Sequence, residues 1–341
     1  MELKQLHKND EHFIGFAESR IGGRPENQDS YGFMETELGF LVTVCDGMGG
    51  GPGGKTASTI AVNEILAGVN DASKDEEISN ILIKAVRRAN MAVLEAASQD
   101  PALNGMGCTA TVLLISEKSA FLAHVGDSRI YQMRGKRKVF RTFDHSMVFD
   151  LVKQKVITEE QARLSAQSNV IMRAIGIKPD LEVDVMERPY EKGDRFILCT
   201  DGIHGIMPEK ELLKLFGNRK VALGAVVDDI ATYVDNYGRD NGGRHDNLTI
   251  AIVETRIKSK LRETMSKQVR LTLLILAIIC LISIAMNIIQ ATSGQNSIAA
   301  SSSDITVVQE LDSFKSVVKE QQDSIHKLNN ELKKQNTEIK K

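Results

Sequence analysis

Short apolar runs separated by polar and glycine-rich segments dominate residues 10–256. Runs of this length predict β-strands at 13–17, 40–45, 108–115, 119–125, 182–187, 195–200 and 248–253. Apolar positions at helical spacing predict helices at about 56–69, 76–98, 147–164 and 221–237. The strands outnumber the helices and often follow one another directly, as at 108–125, which favours hairpins. We therefore expect an α/β sandwich in which helices cover antiparallel sheets, rather than a doubly wound parallel sheet.

The C-terminal part of the chain shows a different pattern. Residues Leu271–Ile289 form a run of 19 residues without a charge, apolar on every face of a helix. At a rise of about 1.5 Å per residue, a helix of this length matches the hydrocarbon thickness of a bilayer. Because the sequence has no second apolar segment to bury it, it predicts a single transmembrane helix at 271–289 rather than a buried core helix.

Positive charges lie on one side of this predicted span. The segment 256–270 carries six Lys or Arg residues and a single Glu, whereas 290–314 has no Lys or Arg. The positive-inside rule therefore places residues 1–270 in the cytoplasm and 290–341 outside it. The basic juxtamembrane segment 257–270 also favours contact with anionic headgroups.

A heptad pattern follows a small, polar linker at 290–303. Ten positions from Val307 to Ile339 alternate in steps of four and three, and all are apolar except Gln321 and Gln335. This spacing predicts a coiled coil over 304–341, with the two glutamines on its seam. We expect this extracytoplasmic segment to form a homo-oligomer; the alternative is a single amphipathic helix on a membrane or a partner.

Charge and cysteine content narrow the function classes. The 341 residues include 43 Lys+Arg against 45 Asp+Glu, and Trp is absent. This balance differs from the basic excess of nucleic-acid binders, so no nucleic-acid partner is expected. The cysteines at 45, 108, 199 and 280 have no paired spacing. We interpret them as reduced packing residues, which fits a cytoplasmic location for the first 260 residues.

Aspartates recur at the ends of the predicted strands. Asp46, Asp127 and Asp201 each follow an apolar run, Asp246 precedes one, and Asp29 stands before a short β-type run. One such aspartate alone is often a turn former or a helix cap. Several together predict a cluster, and clustered carboxylates repel one another unless a cation holds them. Ligand sets made only of oxygen suit Mg²⁺ or Mn²⁺ rather than zinc.

Asp46 leads into a glycine-rich segment at 47–54, where the backbone can approach a ligand closely. A helix predicted to begin near Lys55 allows the loop to receive an anion as well. The competing interpretation is a nucleotide-binding P-loop. It is disfavoured because only three residues separate Gly50 from Gly54, where that motif requires four.

Eight segments resemble, in order, the motifs of the metal-dependent protein phosphatases, the type 2C serine/threonine family. They are RPENQDSYG, CDGMGGGPGGKTAS, GCTAT, VGDSRIY, DHS, NVIMRAIG, GDRFILCTDG and RHDNLT, and they cover about residues 12–255. The resemblance implies a four-layer α/β sandwich, with two antiparallel sheets flanked by helices. It implies a centre of two Mn²⁺ or Mg²⁺ ions, with a third, weaker site in many bacterial members.

The resemblance also assigns metal ligands, position by position. Asp46 matches the aspartate that bridges both metals, and Gly47 matches the glycine whose carbonyl binds one of them. Asp201 and Asp246 match ligands of the other metal. Asp127, together with Asp201, matches the ligand set of the third metal.

Two further residues match groups that act on water and on the substrate. Asp29 matches the outer carboxylate that holds metal-bound water, and Arg24 matches the arginine that grips the substrate phosphate. Arg24, Asp29 and Asp46 are thus the expected catalytic residues. Such a site suits phosphoryl transfer, which depends mainly on positioning and charge neutralisation.

The sequence departs from the family pattern at a few positions. Met48 stands where some eukaryotic members have a histidine proposed as the general acid. Gly51 and Lys55 stand where many bacterial members have His and Glu. Residues 147–169 match a mobile flap that varies with substrate, and there Ser165–Ala166 replaces the usual His-Pro pair.

Three histidines near the motifs, His124, His145 and His204, are expected to be structural. The resulting expectation is a single-pass membrane protein whose domain 1–256 removes phosphate from phosphoserine and phosphothreonine on cytosolic proteins, opposing a serine/threonine kinase in a bacterium. Two alternatives stay open. One is a pseudophosphatase that only binds partners, and the other is a signalling scaffold in which the outer coiled coil carries the main function.

Overall fold

The computed structural model describes residues 4–6, 11–49 and 53–261, together with positions 274, 278, 279, 282, 283 and 286. The chain forms two compact units, Met1–Gln268 and Val269–Lys341, and the elements described below belong to the first. Among the described residues, no helix has both the length and the apolar character needed to cross a membrane. The predicted span 271–289, apart from those six positions, and the predicted coiled coil 304–341 lie outside the described residues.

Antiparallel strands form the centre of the first unit. The described strands are β1 (Lys4–Gln5), β2 (Phe13–Arg20), β3 (Ser30–Thr36), β4 (Gly39–Cys45), β5 (Gly47–Met48), β6 (Gly107–Cys108), β7 (Ala110–Ile115), β8 (Ala120–Val125), β9 (Arg129–Arg134), β10 (Arg137–Arg141), β11 (Asp184–Arg188), β12 (Asp194–Cys199) and β13 (Leu248–Thr255). One sheet has the order β1-β2-β13-β12-β9-β10 and the other β11-β8-β7-β4-β3, while β5 pairs with β6. All of these pairs are antiparallel.

Helices cover the outer face of each sheet. The described helices are α1 (Gly53–Asn70), α2 (Ile78–Gln99), α3 (Met147–Lys153), α4 (Glu159–Arg163), α5 (Asp201–His204), α6 (Glu209–Phe216) and α7 (Leu223–Asp240), with a 3₁₀ turn at Pro101–Leu103. Ile65 of α1 and Leu82 of α2 pack on the five-stranded sheet. Phe216 of α6 and Ile230 of α7 pack on the six-stranded sheet. The order is therefore helix, sheet, sheet, helix.

The two sheets bury a common core between them. Phe40 and Leu113 from the five-stranded sheet meet Phe196 and Val253 from the six-stranded sheet in one apolar cluster. Successive residues of β7 alternate between this core and the α1–α2 layer, so every residue of that strand is buried. This explains why β7 reads as a continuous apolar run. The architecture confirms the predicted sandwich of antiparallel sheets flanked by helices.

The prediction of one helix over 147–164 is wrong. Helix α3 ends at Lys153 and α4 begins only at Glu159. Lys155 adopts a left-handed φ of 60°, which a continuous helix does not allow. Thr158 then starts α4 with a reciprocal capping box to Gln161. Helical spacing continues across the break because both short helices bury an apolar face in the same small cluster.

Candidate active site

The aspartates singled out in the sequence lie together at one end of the two sheets. Asp46 directly follows β4, and Ser30 of β3 pairs with Cys45 of β4, so Asp29 lies beside Asp46. On the other sheet, Cys199 of β12 pairs with Ile250 of β13. Because both pairs are antiparallel, the end of one strand meets the beginning of its neighbour.

The same pairing brings the remaining aspartates to this end. Asp201 follows β12 and Asp246 precedes β13, which places the two next to each other. Asp127 follows β8 after Gly126, and its side chain reaches Asp201 closely enough to perturb its ionisation. The convergence expected from strand-end positions is therefore present for all five aspartates.

The electrostatics of this carboxylate cluster (Asp29, Asp46, Asp127, Asp201 and Asp246) are unfavourable without a cation. Burial, and then the negative charges of the neighbouring members, hold the pKa of Asp46 well above its usual range. Burial and the same kind of repulsion raise the pKa of Asp29 to about 7 and that of Asp201 to about 6. The pKa of Asp127 is also well above normal, mainly because of burial and then Asp201. Neighbouring positive charge would reverse each of these shifts.

The donor set of the cluster fits hard divalent cations. The Oδ1 atoms of Asp29, Asp127 and Asp201 are buried and have no hydrogen-bond partner among the described residues. A buried acceptor without a partner is costly, so such atoms point to a missing ligand. All the donors are oxygens, which suits Mg²⁺ or Mn²⁺. At Gly47, an added Cβ would collide with the carbonyl oxygens of Gly54 and Gln28, so only glycine fits beside the cluster.

Arg24 lies at the rim of the cluster. Its Nη2 donates to Asp246 Oδ2 over 2.7 Å, and both side chains are partly exposed. This ion pair thus holds Arg24, the arginine expected to bind phosphate, beside the carboxylate cluster. An exposed guanidinium in this place can turn toward a bound anion with two parallel donors.

Asn247 was missed by the sequence analysis, although it stands in the RHDNLT motif. Its Oδ1 accepts from the Gln28 amide over 2.9 Å. Its Nδ2 donates to the carbonyls of Ile21 and Glu26 over 2.8 and 2.9 Å. This one side chain therefore fixes the loop that carries both Arg24 and Asp29.

Two threonines next to the cluster were also missed. Thr200 Oγ1 donates to Asp29 Oδ2 over 2.9 Å. Thr109 Oγ1 accepts from the Asp46 amide over 2.9 Å and bonds Ser128 Oγ over 2.7 Å. Thr109 stands in the GCTAT motif and Thr200 in GDRFILCTDG, but a hydroxyl residue near a strand end is too common for its role to be inferred without the structure.

A cavity of about 310 Å³ connects the carboxylate cluster to the flap. Asp127, Asp201, Asp246 and Arg24 line one side of it. The other side is formed by the flap, through residues that include Val148, Phe149, Ala162 and Arg163. A volume of this order is at the lower end of the range of small-molecule pockets.

Comparison with known proteins agrees with this geometry. A profile of the protein phosphatase 2C family matches residues 18–242. The serine/threonine phosphatase stp of Listeria innocua is 31% identical over 248 residues, covering 70% of this chain and 94% of that protein. The S. agalactiae serine/threonine phosphatase structure is 30% identical with a TM-score of 0.64, covering 71% of this chain and 99% of that one. The catalytic domain of the serine/threonine phosphatase PstP, solved with two manganese ions, is 28% identical with a TM-score of 0.60, covering 72% and 98%.

Proposed function

The chain belongs to the protein phosphatase 2C family and is a metal-dependent serine/threonine protein phosphatase, and we propose that the carboxylate cluster is its catalytic centre. It uses Mn²⁺ or Mg²⁺ in a dinuclear centre. The observation that carries the assignment of the cluster is a set of three buried carboxylate oxygens, on Asp29, Asp127 and Asp201, that have no hydrogen-bond partner among the described residues. They lie in a site where burial, and then neighbouring carboxylates, raise the pKa values of Asp29, Asp46 and Asp127.

Asp46, Asp201, Asp246 and the Gly47 carbonyl would hold two cations, and Asp127 with Asp201 would hold a third. When bound, these ions supply the positive charge that stabilises a phosphoryl transition state and activates water for an in-line attack. Thr200 fixes one oxygen of Asp29, and the other, which has no partner among the described residues, would hold a water molecule. Pseudophosphatase function is the less favoured proposal, because every acidic position of the cluster is filled.

Arg24 would bind the substrate phosphate. Its guanidinium is half-exposed at the mouth of the cavity and pairs with Asp246. A cation on Asp246 would compete with that ion pair and so favour rotation of Arg24 toward an incoming phosphate. The positive charge of the cations would then be balanced by the carboxylate cluster and the substrate phosphate together.

The test is hydrolysis of p-nitrophenyl phosphate and of a phosphothreonine peptide by the full chain in detergent, with Mn²⁺ or with chelator. Asp46→Asn should abolish turnover, while Asp75→Asn, at an exposed residue in the turn before α2, should leave it unchanged. Activity that persists in chelator would contradict the metal mechanism. Tight Mn²⁺ binding without turnover in the wild type would instead favour the pseudophosphatase.

The natural substrates are proposed to be phosphoserine and phosphothreonine on cytosolic proteins, with a serine/threonine kinase supplying them. The predicted span 271–289 and the basic segment before it support a single-pass membrane protein with the catalytic unit in the cytoplasm. A cysteine introduced at Ser301 should react with a membrane-impermeant maleimide on intact cells. Absence of labelling until the membrane is permeabilised would contradict this topology.

The heptad positions from Val307 to Ile339 support the further proposal that the outer segment forms a homo-oligomer. Pairing of the outer segments would bring two catalytic units to a high effective concentration at the membrane. A signalling scaffold is the second candidate for this segment, and it is compatible with phosphatase activity.

A further inference from the structure

Three histidine side chains hold the loop that carries Asp127. His145 Nδ1 accepts from the Gly126 amide over 3.1 Å. His204 Nε2 bonds the Asp127 carbonyl over 3.0 Å, and His124 Nε2 bonds the Ser128 carbonyl over 2.8 Å. Each of the three successive residues of this loop is therefore bound by a different histidine.

The histidines come from distant parts of the chain and are almost completely buried. His124 lies on β8, His145 just before α3 and His204 at the end of α5. They are 1%, 5% and 5% exposed, respectively. The rings of His124 and His145 also pack against each other, with their centroids 4.6 Å apart. A buried polar side chain that is fully bonded holds its partner in one position.

The hydrogen bonds fix the tautomer of each ring. A backbone amide can only donate and a carbonyl can only accept. His145 therefore carries its proton on Nε2, which faces Asp184 Oδ2 at 3.2 Å, while His124 and His204 donate from Nε2. Burial lowers the pKa of His124 to about 3, so this ring stays in the neutral form that its bond requires.

A cation site at this place is disfavoured by the same bonds. His124, His145 and Asp184 have ligand atoms within 4.8 Å of one another, and all belong to the described residues. However, the Gly126 amide occupies Nδ1 of His145. A metal on Nε2 would have to displace the remaining ring proton and leave an imidazolate. The arrangement therefore serves hydrogen bonding.

His145 also joins this loop to the base of the flap. Its backbone amide donates to the Gly126 carbonyl over 2.8 Å, and its carbonyl accepts from the Met172 amide over 2.7 Å. His145 lies two residues before the flap (147–169) and Met172 three residues after it. Asp144, the residue before His145, forms a buried ion pair with Arg129. Arg129 Nε donates to Asp144 Oδ1 over 2.7 Å, and its Nη2 donates to Oδ2 over 2.6 Å.

We propose that His124, His145 and His204 act together as positioning residues for Asp127. They fix the main chain on both sides of its carboxylate and thereby set the affinity of the weakest cation site. The inference rests on the proposed function, since it takes Asp127 as a ligand of the third cation. Gly126 has a φ of 101°, a conformation that glycine adopts readily and that residues with a side chain rarely adopt.

Substitution of each histidine by Asn or by Gln tests the proposal, because both amide side chains are polar like the histidine that they replace. The amide oxygen of Asn lies close to the place of Nδ1, whereas the amide nitrogen of Gln reaches the place of Nε2. His145→Asn therefore keeps the bond to Gly126, and His145→Gln loses it. At position 204 the preference is reversed, because only His204→Gln reaches the Asp127 carbonyl. His124→Gln and His124→Asn supply a third pair should either of the other sites fail to fold.

The measurement is Mn²⁺ binding to the full chain in detergent by calorimetry, alongside p-nitrophenyl phosphate hydrolysis. We expect His145→Gln and His204→Asn to weaken the weakest binding step by about 10–100-fold, the range found for partners of metal ligands. His145→Asn and His204→Gln should stay close to the wild type, and the tighter steps should not change. His12, which is partly exposed and pairs with Glu117 away from the cluster, is the matched control for both substitutions.

Equal effects of Asn and Gln at each position would overturn the proposal, as would weakening of all binding steps together. Failure of the wild type to bind Mn²⁺ and to hydrolyse the substrate would instead refute the proposed function. The wild-type measurement alone therefore distinguishes failure of this proposal from failure of the proposed function.

Discussion

Mn²⁺ binding to the carboxylate cluster should weaken steeply as the pH falls below 7. Burial, together with the charges of Asp201 and Asp246, raises the pKa of Asp29 to about 7. The pKa of Asp201 is raised to about 6, and those of Asp46 and Asp127 lie well above normal. Without a cation the folded cluster therefore holds protons that a cation must displace. Lower pH favours the protonated cluster and so opposes binding.

Asp29 alone gives a magnitude for this effect. At pH 5.5, a group with a pKa of about 7 must be ionised at a cost of about 2 kcal/mol, because one pKa unit corresponds to about 1.4 kcal/mol. This cost lowers the Mn²⁺ affinity by about 25-fold relative to pH 7.5. The other raised pKa values act in the same direction.

Calorimetry at pH 5.5, 6.5 and 7.5, in buffers of different ionisation enthalpy, measures both the affinity and the protons released. Thr200→Val removes the donor 2.9 Å from Asp29 Oδ2 with little change of shape. It should raise the pKa of Asp29 further and weaken binding in acid, by about 10-fold or more for a bond to a charged group. Thr36→Val, which loses a hydroxyl bond at the β3–β4 turn, is the control. Equal affinity at pH 5.5 and 7.5, or binding without proton release, would refute this reasoning.

Three further predictions concern the substrate, the fold and the tail. Arg24→Ala should lower kcat/KM for a phosphothreonine peptide by about 10–100-fold, the value of a charged hydrogen bond, and Arg24→Lys should recover part of it in steady-state kinetics; equal kinetics for all three proteins would exclude Arg24 from phosphate binding. Asp144→Ala removes the acidic partner of the buried Arg129 guanidinium and should lower the free energy of unfolding by about 3–5 kcal/mol in urea titrations. Asp150→Ala, at an exposed position, should have almost no effect. Similar losses in both variants would contradict this. Deletion of 304–341 should convert an oligomer into a monomer in detergent, measured by light scattering, and an unchanged mass would exclude this segment as the site of association.

The strand-end aspartates explain why much of the site could be predicted. Asp46 directly follows an apolar strand and Asp201 follows one after Thr200, and antiparallel pairing requires neighbouring strands to end or begin at the same edge. Position in the sequence therefore translates directly into position in space. The order of the motifs along the chain supplies Arg24, which periodicity alone does not distinguish from any exposed arginine.

Other elements depend on contacts that no local pattern contains. Strands β9 and β10 carry several charged residues, and their sequences therefore do not resemble that of a buried strand. In the structure, Arg134 forms two bonds with the buried Asp194, and Arg141 pairs with Glu159 and Glu209. These partners come from distant parts of the chain. Pairing of this kind permits burial of charge that composition alone would assign to the surface.

Lys55 shows how a departure from the family pattern acts through the structure. Its Nζ donates to the main-chain carbonyl of Asp29 over 2.8 Å and to Ser30 Oγ over 3.1 Å. Within the described part of the chain, Asp29 Oδ1 has no hydrogen-bond partner, so Lys55 takes no oxygen from the carboxylate cluster. Burial lowers the pKa of Lys55, while the charge of Asp29 partly opposes that shift. Lysine in place of the usual glutamate thus adds positive charge beside the cluster without removing a ligand. Cation affinity, rather than the presence of activity, is therefore the property in which this chain should differ from relatives with glutamate at this position.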